Sequence, residues 1–284
     1  MTPQLSINQC ATLACLLEAT APKVGNVHRG ADFDDLTFVD FVASAVAIGP
    51  NMEAAAALGV GRTVLDAIIA TRGLVGTNTN LGMALLFAPL AVVPRDERLT
   101  TASVGAVLQG LTPEDSALVY EAIRLARPGG LGRVETMDVE GESPADVMAA
   151  MQAAAGRDLV ARQYADDFTL VLDEALPGII AGRDRGWSLT DSIIHAHVSL
   201  IAVHGDSLIS RKCGSELAKR AATIARQVLS CGDPKDERYL EALADFDFWL
   251  RSDGNRRNPG ATADLIAAAL FAGLRDGRLP PPWR

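Results

Sequence analysis

Along this chain apolar residues recur three and four positions apart, and polar residues gather between the apolar stretches in a few dense clusters. Leu13, Leu16 and Leu17 mark one face of a helix that Ser6 opens, with Gln9 completing a capping box, and that runs to about Thr20. Phe38, Phe41, Val42 and Ala45 mark a second helix over 36–48, which Pro50-Asn51 is expected to break. Short helices over 52–58 and 62–70, separated by Gly59 and Gly61, precede an apolar helix over 83–90. Thr112-Pro113 starts another that reaches about Arg127, with proline at its first position. From Pro144 one continuous helix is expected through Arg157, Arg162, Asp166 and Asp167 to Leu176. Ser188 with Asp191 caps a helix that carries His195, His197 and His204. Helices over 215–229, 239–250 and 260–274 complete the set, and the proline-rich stretch 279–284 cannot be helical. No window alternates apolar and polar residues for long, and no hairpin dipeptide separates β-branched runs. The pattern predicts an all-α fold, a single multi-helix bundle domain over residues 1–284.

Composition supports this and narrows the function. Hydrophobic residues make up 49% of the chain and aromatics only 5%, which fits a globular, helix-rich protein. A net charge of −9 argues against nucleic acid as a partner, yet leaves room for a small polyanion where cations cluster. Cys10, Cys15, Cys213 and Cys231 form no C-x-x-C pair and read as reduced structural thiols of a cytoplasmic protein. No signal peptide is read at the start, and the most apolar run, 81–93, is too short to span a membrane.

Four polar islands interrupt the helical pattern. The first lies in the stretch from Glu18 to Asp35, where Pro22, Gly25 and Gly30 punctuate a loop holding Lys23, Asn26, His28 and Arg29. A plain connector needs only turn residues; this one carries groups that bind anions and move protons. Glu18 stands near a helix C-terminus, where the helix dipole disfavours a carboxylate. His28 is the histidine best placed for proton transfer, kept neutral by the neighbouring cations Lys23 and Arg29. His195 and His197, two apart, point to different sides of their helix and read as core groups. The second island, Gly76 to Gly82, and the fourth, Asn258 to Asp264, look like helix starts, which offer free N–H groups to an anion. The third runs from His204 to Lys212. There Asp206 and Arg211 are either a buried ion pair within one helix or part of a clamp in which Arg211 and Lys212 hold phosphate. A glycine-rich loop, Pro128 to Gly132, and the acidic residues Glu135, Asp138, Glu140 and Glu142 lie between the second and third islands.

Taken together and in this order, Glu18 to Arg29, Asn78 to Gly82, Asp206 to Lys212 and Asn258 to Asp264 resemble the triphosphoribosyl-dephospho-CoA synthase family. The sequence departs from the citrate-lyase branch of that family. His28-Arg29 stands where that branch has Asp-Arg, Asn78-Thr79-Asn80 where it has Asn-Thr-His, and Pro259-Gly260-Ala261 where it has Pro-Gly-Gly. In these positions it is closer to archaeal and one-carbon-metabolising relatives. The resemblance implies an all-α enzyme that moves the triphosphoribosyl group of ATP to a ribose hydroxyl of 3′-dephospho-CoA, with adenine leaving. The product would be the precursor of an acyl-carrier prosthetic group of citrate lyase or malonate decarboxylase.

On that resemblance Glu18, His28, Asp206 and Asp264 are the expected catalytic groups, with Asp206 and Asp264 also holding Mg²⁺ brought as MgATP. Lys23, Gly25, Asn26, Arg29, Asn78, Thr79, Asn80 and Gly82 are expected to bind substrate, as are Ser207, Arg211, Lys212, Asn258, Gly260 and Thr262. ATP and 3′-dephospho-CoA, or another small acceptor, are the expected partners, with no nucleic acid and no membrane; a homodimer is allowed. Two alternatives stay open: a related ATP-dependent ribosyl or nucleotide transferase with a different acceptor in one-carbon cofactor biosynthesis, and a non-catalytic ATP-binding helical protein.

Overall fold

The computed structural model describes residues 4–130 and 137–283. Leu131, Gly132 and Glu135, singled out above, lie outside the described residues. The helices are α1 (Ile7–Thr20), α2 (Phe38–Glu53), α3 (Ala55–Leu58), α4 (Val60–Arg72), α5 (Leu81–Val92), α6 (Thr101–Gln109), α7 (Pro113–Ala126), α8 (Val147–Ala154) and α9 (Leu159–Ala165). They continue with α10 (Leu176–Asp184), α11 (Leu189–His204), α12 (Ser207–Cys213), α13 (Ser215–Ser230), α14 (Glu237–Arg251) and α15 (Gly260–Arg275). A π-helical segment, Leu170–Ala175, joins α9 to α10, and the short extended piece Ser252–Asn255 belongs to no sheet. The all-α expectation holds. Among the described residues no single helix is long and apolar enough to cross a membrane.

The core is organised around α15. Leu265 to Ala272 are all fully buried, and the four alanines among them let neighbours close in. Helices α1, α5, α9, α10, α11 and α12 and the π-helical segment all pack on α15. Phe271 stacks on Phe87 of α5 with ring centroids 4.9 Å apart. A smaller apolar cluster joins α11, α13 and α14 through Val198, Ile201, Ala221, Tyr239 and Phe246.

Helix starts follow the sequence closely. Ser6 and Gln9 form the predicted capping box, with Gln9 N–H donating to Ser6 Oγ at 3.1 Å and Ser6 N–H to Gln9 Oε1 at 2.9 Å. Thr112 and Asp115 do the same at α7, and Asp115 also accepts the Gly61 N–H of α4 at 2.8 Å. Ser188 Oγ accepts the Asp191 N–H at 3.0 Å.

Two expectations fail. Pro50 does not break its helix: α2 continues to Glu53. Pro50 and Val46 are both exposed, so the Val46 carbonyl left without a helix donor can meet water. The expected continuous helix from Pro144 to Leu176 is interrupted twice. Asp158 ends the first interruption by capping α9, accepting from Val160 N–H at 2.8 Å and Ala161 N–H at 3.1 Å. At the second, Asp167 and Phe168 take left-handed φ values of 52° and 65°. This turn buries the Phe168 ring completely, and burial of a large aromatic outweighs the backbone strain.

Candidate functional site

The four polar islands meet at one opening. The end of α1 brings Glu18 and the loop after it Asn26. The start of α5 brings Asn78 to Gly82, α12 brings Arg211 and Lys212, and the start of α15 brings Asn258, Gly260 and Asp264. Together they line a cavity of about 860 Å³. Its other walls come from α7, α8 and α9, with an apolar strip of Ile123, Met151, Ala154 and Val160 beside Tyr120, and from segment 137–140, where the predicted acids Asp138 and Glu140 also line it.

Two helix N-termini reach this cavity. Asn80 and Pro259, the cap residues of α5 and α15, supply no side-chain acceptor to their helices. That leaves the first N–H groups to other partners; Asn78 Oδ1 takes the Leu81 N–H at 3.1 Å. Gly82 is required by what faces it: a Cβ there would lie 2.0 Å from Asp264 Oδ2. The predicted glycine-rich loop also arrives here. Gly130 has φ +76°, and a Cβ on it would lie 3.3 Å from Lys212 Cγ.

Two of the lining acids, Glu18 and Asp264, are held above the usual carboxylate range. Burial raises the pKa of Glu18, against the lowering effect of the Lys23 ammonium 2.7 Å from its Oε1. Asp264 is shielded from bulk water while keeping surface open to the cavity. Burial first, then the charges of Glu18 and Asp206, hold its carboxyl well above the usual range. Three oxygens in lining residues are buried without any partner: Glu18 Oε2, Asn26 Oδ1 and Asn80 Oδ1. On the cationic side Arg211 donates to Asp158 while its Nε is buried and unpartnered. Lys212 Nζ reaches the Asn255 carbonyl at 3.4 Å. Burial lowers the pKa of both Arg211 and Lys212.

Glu18, Asn26, Asn78, Thr79, Asn80, Gly82, Arg211, Lys212, Asn258, Gly260 and Asp264 therefore line one cavity, and seven predicted residues do not. Asp206, expected among the catalytic and metal-holding groups, does not line the cavity, and both its oxygens accept hydrogen bonds from helix starts. Oδ1 caps α12 through the Ile209 N–H at 2.9 Å, and Oδ2 accepts both the N–H and the hydroxyl of Thr262 at 2.8 Å. Asp206 and Thr262 thus bolt α12 to the first turn of α15, and no Asp206–Arg211 pair forms. Ser207 accepts the Leu159 N–H at 3.1 Å and fixes α9. Gly25 has φ +69° and packs where a Cβ would meet Leu250 and Pro259 at 2.8 and 2.9 Å. Lys23 lies behind Glu18, fully buried. His28 and Arg29 stand outside the cavity, Arg29 exposed and His28 in a tight loop where its Nδ1 accepts the Gly30 N–H. The His28 pKa is lowered as expected, but burial is the main cause and Arg251 the next.

Sequence reasoning misses Arg157, Asp158, Asp35 and Asn255. Asp158 before an apolar run is a helix-start signal, masked by helical spacing on both sides of it. Asn255 donates to both oxygens of Asp35 at 2.7 Å, a link between distant loops that no local pattern announces.

A family model described as CitG: ATP:dephospho-CoA triphosphoribosyl transferase matches residues 4–280. Two curated relatives carry the name "Probable 2-(5''-triphosphoribosyl)-3'-dephosphocoenzyme-A synthase". The one from Malonomonas rubra is 29% identical over 106 residues, 37% of this chain and 32% of that protein. The one from Stutzerimonas stutzeri (strain A1501) is 31% identical over 117 residues, 40% of this chain and 39% of that protein. The matched stretch thus spans only 32% and 39% of the length of these relatives. In three dimensions the chain resembles a protein of Archaeoglobus fulgidus solved as a candidate triphosphoribosyl-dephospho-coA synthase. The TM-score is 0.62 at 22% identity, covering 86% of this chain and 100% of the other.

Proposed function

The chain belongs to the ATP:dephospho-CoA triphosphoribosyl transferase family, and from that premise we propose that it moves the triphosphoribosyl group of ATP to a ribose hydroxyl of 3′-dephospho-CoA and releases adenine. The C1′–N bond to adenine breaks and a C1′–O bond to the acceptor forms. The proton lost by the hydroxyl balances the one gained by adenine. The observation that carries this reading is that Glu18 and Asp264 line one cavity together with Arg211, Lys212, two helix starts and an apolar strip beside Tyr120.

Loss of adenine builds positive charge at C1′, as in glycoside cleavage. Glu18, whose Oε2 is unpartnered and whose negative charge Lys23 favours, stabilises that charge and receives the acceptor proton. Arg211, Lys212 and the starts of α5 and α15 hold the triphosphate. The apolar walls beside Tyr120 and Met151 take the uncharged parts of the two substrates. Mg²⁺ wants hard oxygen donors, and the orphaned amide oxygen of Asn80 together with the Asp264 carboxylate fits that need. When bound there it neutralises triphosphate charge.

Mass spectrometry of the purified protein incubated with ATP, Mg²⁺ and 3′-dephospho-CoA tests this. Free adenine together with an acceptor bearing the triphosphoribosyl mass is expected. Adenine released only with a different acceptor keeps the donor chemistry and replaces the acceptor. ATP binding without adenine from any acceptor overturns the proposal and favours the non-catalytic alternative.

A further inference from the structure

We infer that Lys23 serves the transfer by positioning Glu18 rather than by holding the triphosphate. The inference rests on the reading above, in which Glu18 touches the reacting atoms. From the sequence Lys23 has every mark of a phosphate ligand, a scarce lysine in a glycine-flanked loop. The fold removes it from that task. Its side chain is fully buried and contributes nothing to the cavity lining. Its ammonium has three N–H donors, and three acceptors surround it. They are Glu18 Oε1 at 2.7 Å, the Glu18 backbone carbonyl, and the Ala21 carbonyl at 3.4 Å. No donor remains for a phosphate.

Those acceptors also explain what the contact does. The Glu18 carbonyl lies in the last turn of α1 and the Ala21 carbonyl, which also accepts the Lys23 backbone N–H at 2.7 Å, belongs to its C-cap, so Lys23 closes the helix end on which Glu18 sits. The same nitrogen pins one carboxylate oxygen and leaves Oε2 unpartnered. Carboxylate, helix end and loop become one unit in which Oε2 is the one carboxylate oxygen without a partner. Around this unit Asp264 faces Glu18 from α15, Asp206 stands beyond Asp264, and Cys15 lies on α1 itself. His197 of α11 is next to Lys23, but burial and the Lys23 charge push its imidazole down to about 3, so it stays neutral. Lys23 is then the cation that answers Glu18 from behind.

The test separates positioning from phosphate binding in the full-length protein. Calorimetric ATP titration should give Lys23→Met an affinity within about threefold of wild type, whereas Arg211→Met, which alters the cavity wall, loses more than about tenfold. Adenine release by Lys23→Met should fall about 100-fold in kcat with KM for ATP changed by less than about threefold. The double variant Lys23→Met/Glu18→Gln should be no slower than Glu18→Gln alone, because Lys23 acts through Glu18. Lys23→Gln, which keeps two N–H donors for the α1 carbonyls, provides a second variant if Lys23→Met does not fold, and should show the same kcat loss at unchanged ATP affinity. A tenfold loss of ATP affinity in either Lys23 variant, or losses that multiply in the double variant, overturns the inference. Wild-type protein that binds ATP but releases no adenine overturns the proposed function itself, and that result is visible before any variant is compared.

Discussion

Asp264 is an acid placed where an acid is hard to ionise. It sits on an otherwise apolar helix, against the backbone of Gly82, with Glu18 and Asp206 both adding negative potential. Its raised pKa means the folded protein binds a proton that the unfolded chain releases near pH 4. The stabilising contribution of that proton is complete below the unfolded pKa and is lost as pH rises through the folded one. In calorimetric scans of ligand-free protein from pH 5 upward, the Tm of Asp264→Asn relative to wild type should therefore rise with pH, because the variant lacks the contribution that wild type loses as Asp264 ionises. The same variant should release no adenine. Site chemistry is legible at this scale as residue types: the sequence marks Glu18, Asn80, Arg211 and Asp264 by their polarity inside apolar stretches. Direction is not legible. Lys23 and Asp206 belong to the same islands, yet their side chains turn away from the cavity into the protein. A motif fixes which groups are present, whereas packing decides which atoms face the ligand.

The helix scale explains why such buried polar residues matter without touching substrate. Asp206 ends the loop after α11, caps α12 and accepts two bonds from the first turn of α15. Asp206→Ala should destabilise the protein by about 1–3 kcal/mol, seen as a lower midpoint in urea denaturation, because it removes a cap and leaves buried donors unpaired. Starts of helices are readable because capping is local chemistry: Ser6 with Gln9, Thr112 with Asp115 and Ser188 with Asp191 all act within three residues. Interruptions are harder. The turn at Asp167-Phe168 exists because Phe168 finds a buried place among distant helices, and Pro50 is tolerated because its helix face is exposed. Neither cause is written in the neighbouring residues.

At the scale of the whole molecule everything converges on α15. Phe271→Ala would open a hole where its ring stacks on Phe87, and a loss of about 3–5 kcal/mol in chemical denaturation is expected. The same helix carries Asp264 and Gly260 into the cavity, so core and site share one element. The all-α class is legible from helical spacing alone, but the central place of this one helix is not, since alanine-rich sequence reads the same at a surface as in a core. Its position along the chain also sets an order in time. A nascent chain emerging from the ribosome completes α1, α5 and α12 well before α15 is translated. Until then Glu18 and Gly82 have no Asp264 opposite them, and the flanks of α1 and α5 that pack on α15 stay uncovered. Binding competence thus arrives only when α15 has been made and has docked, and a chain stalled before it leaves apolar surface of α1 and α5 exposed.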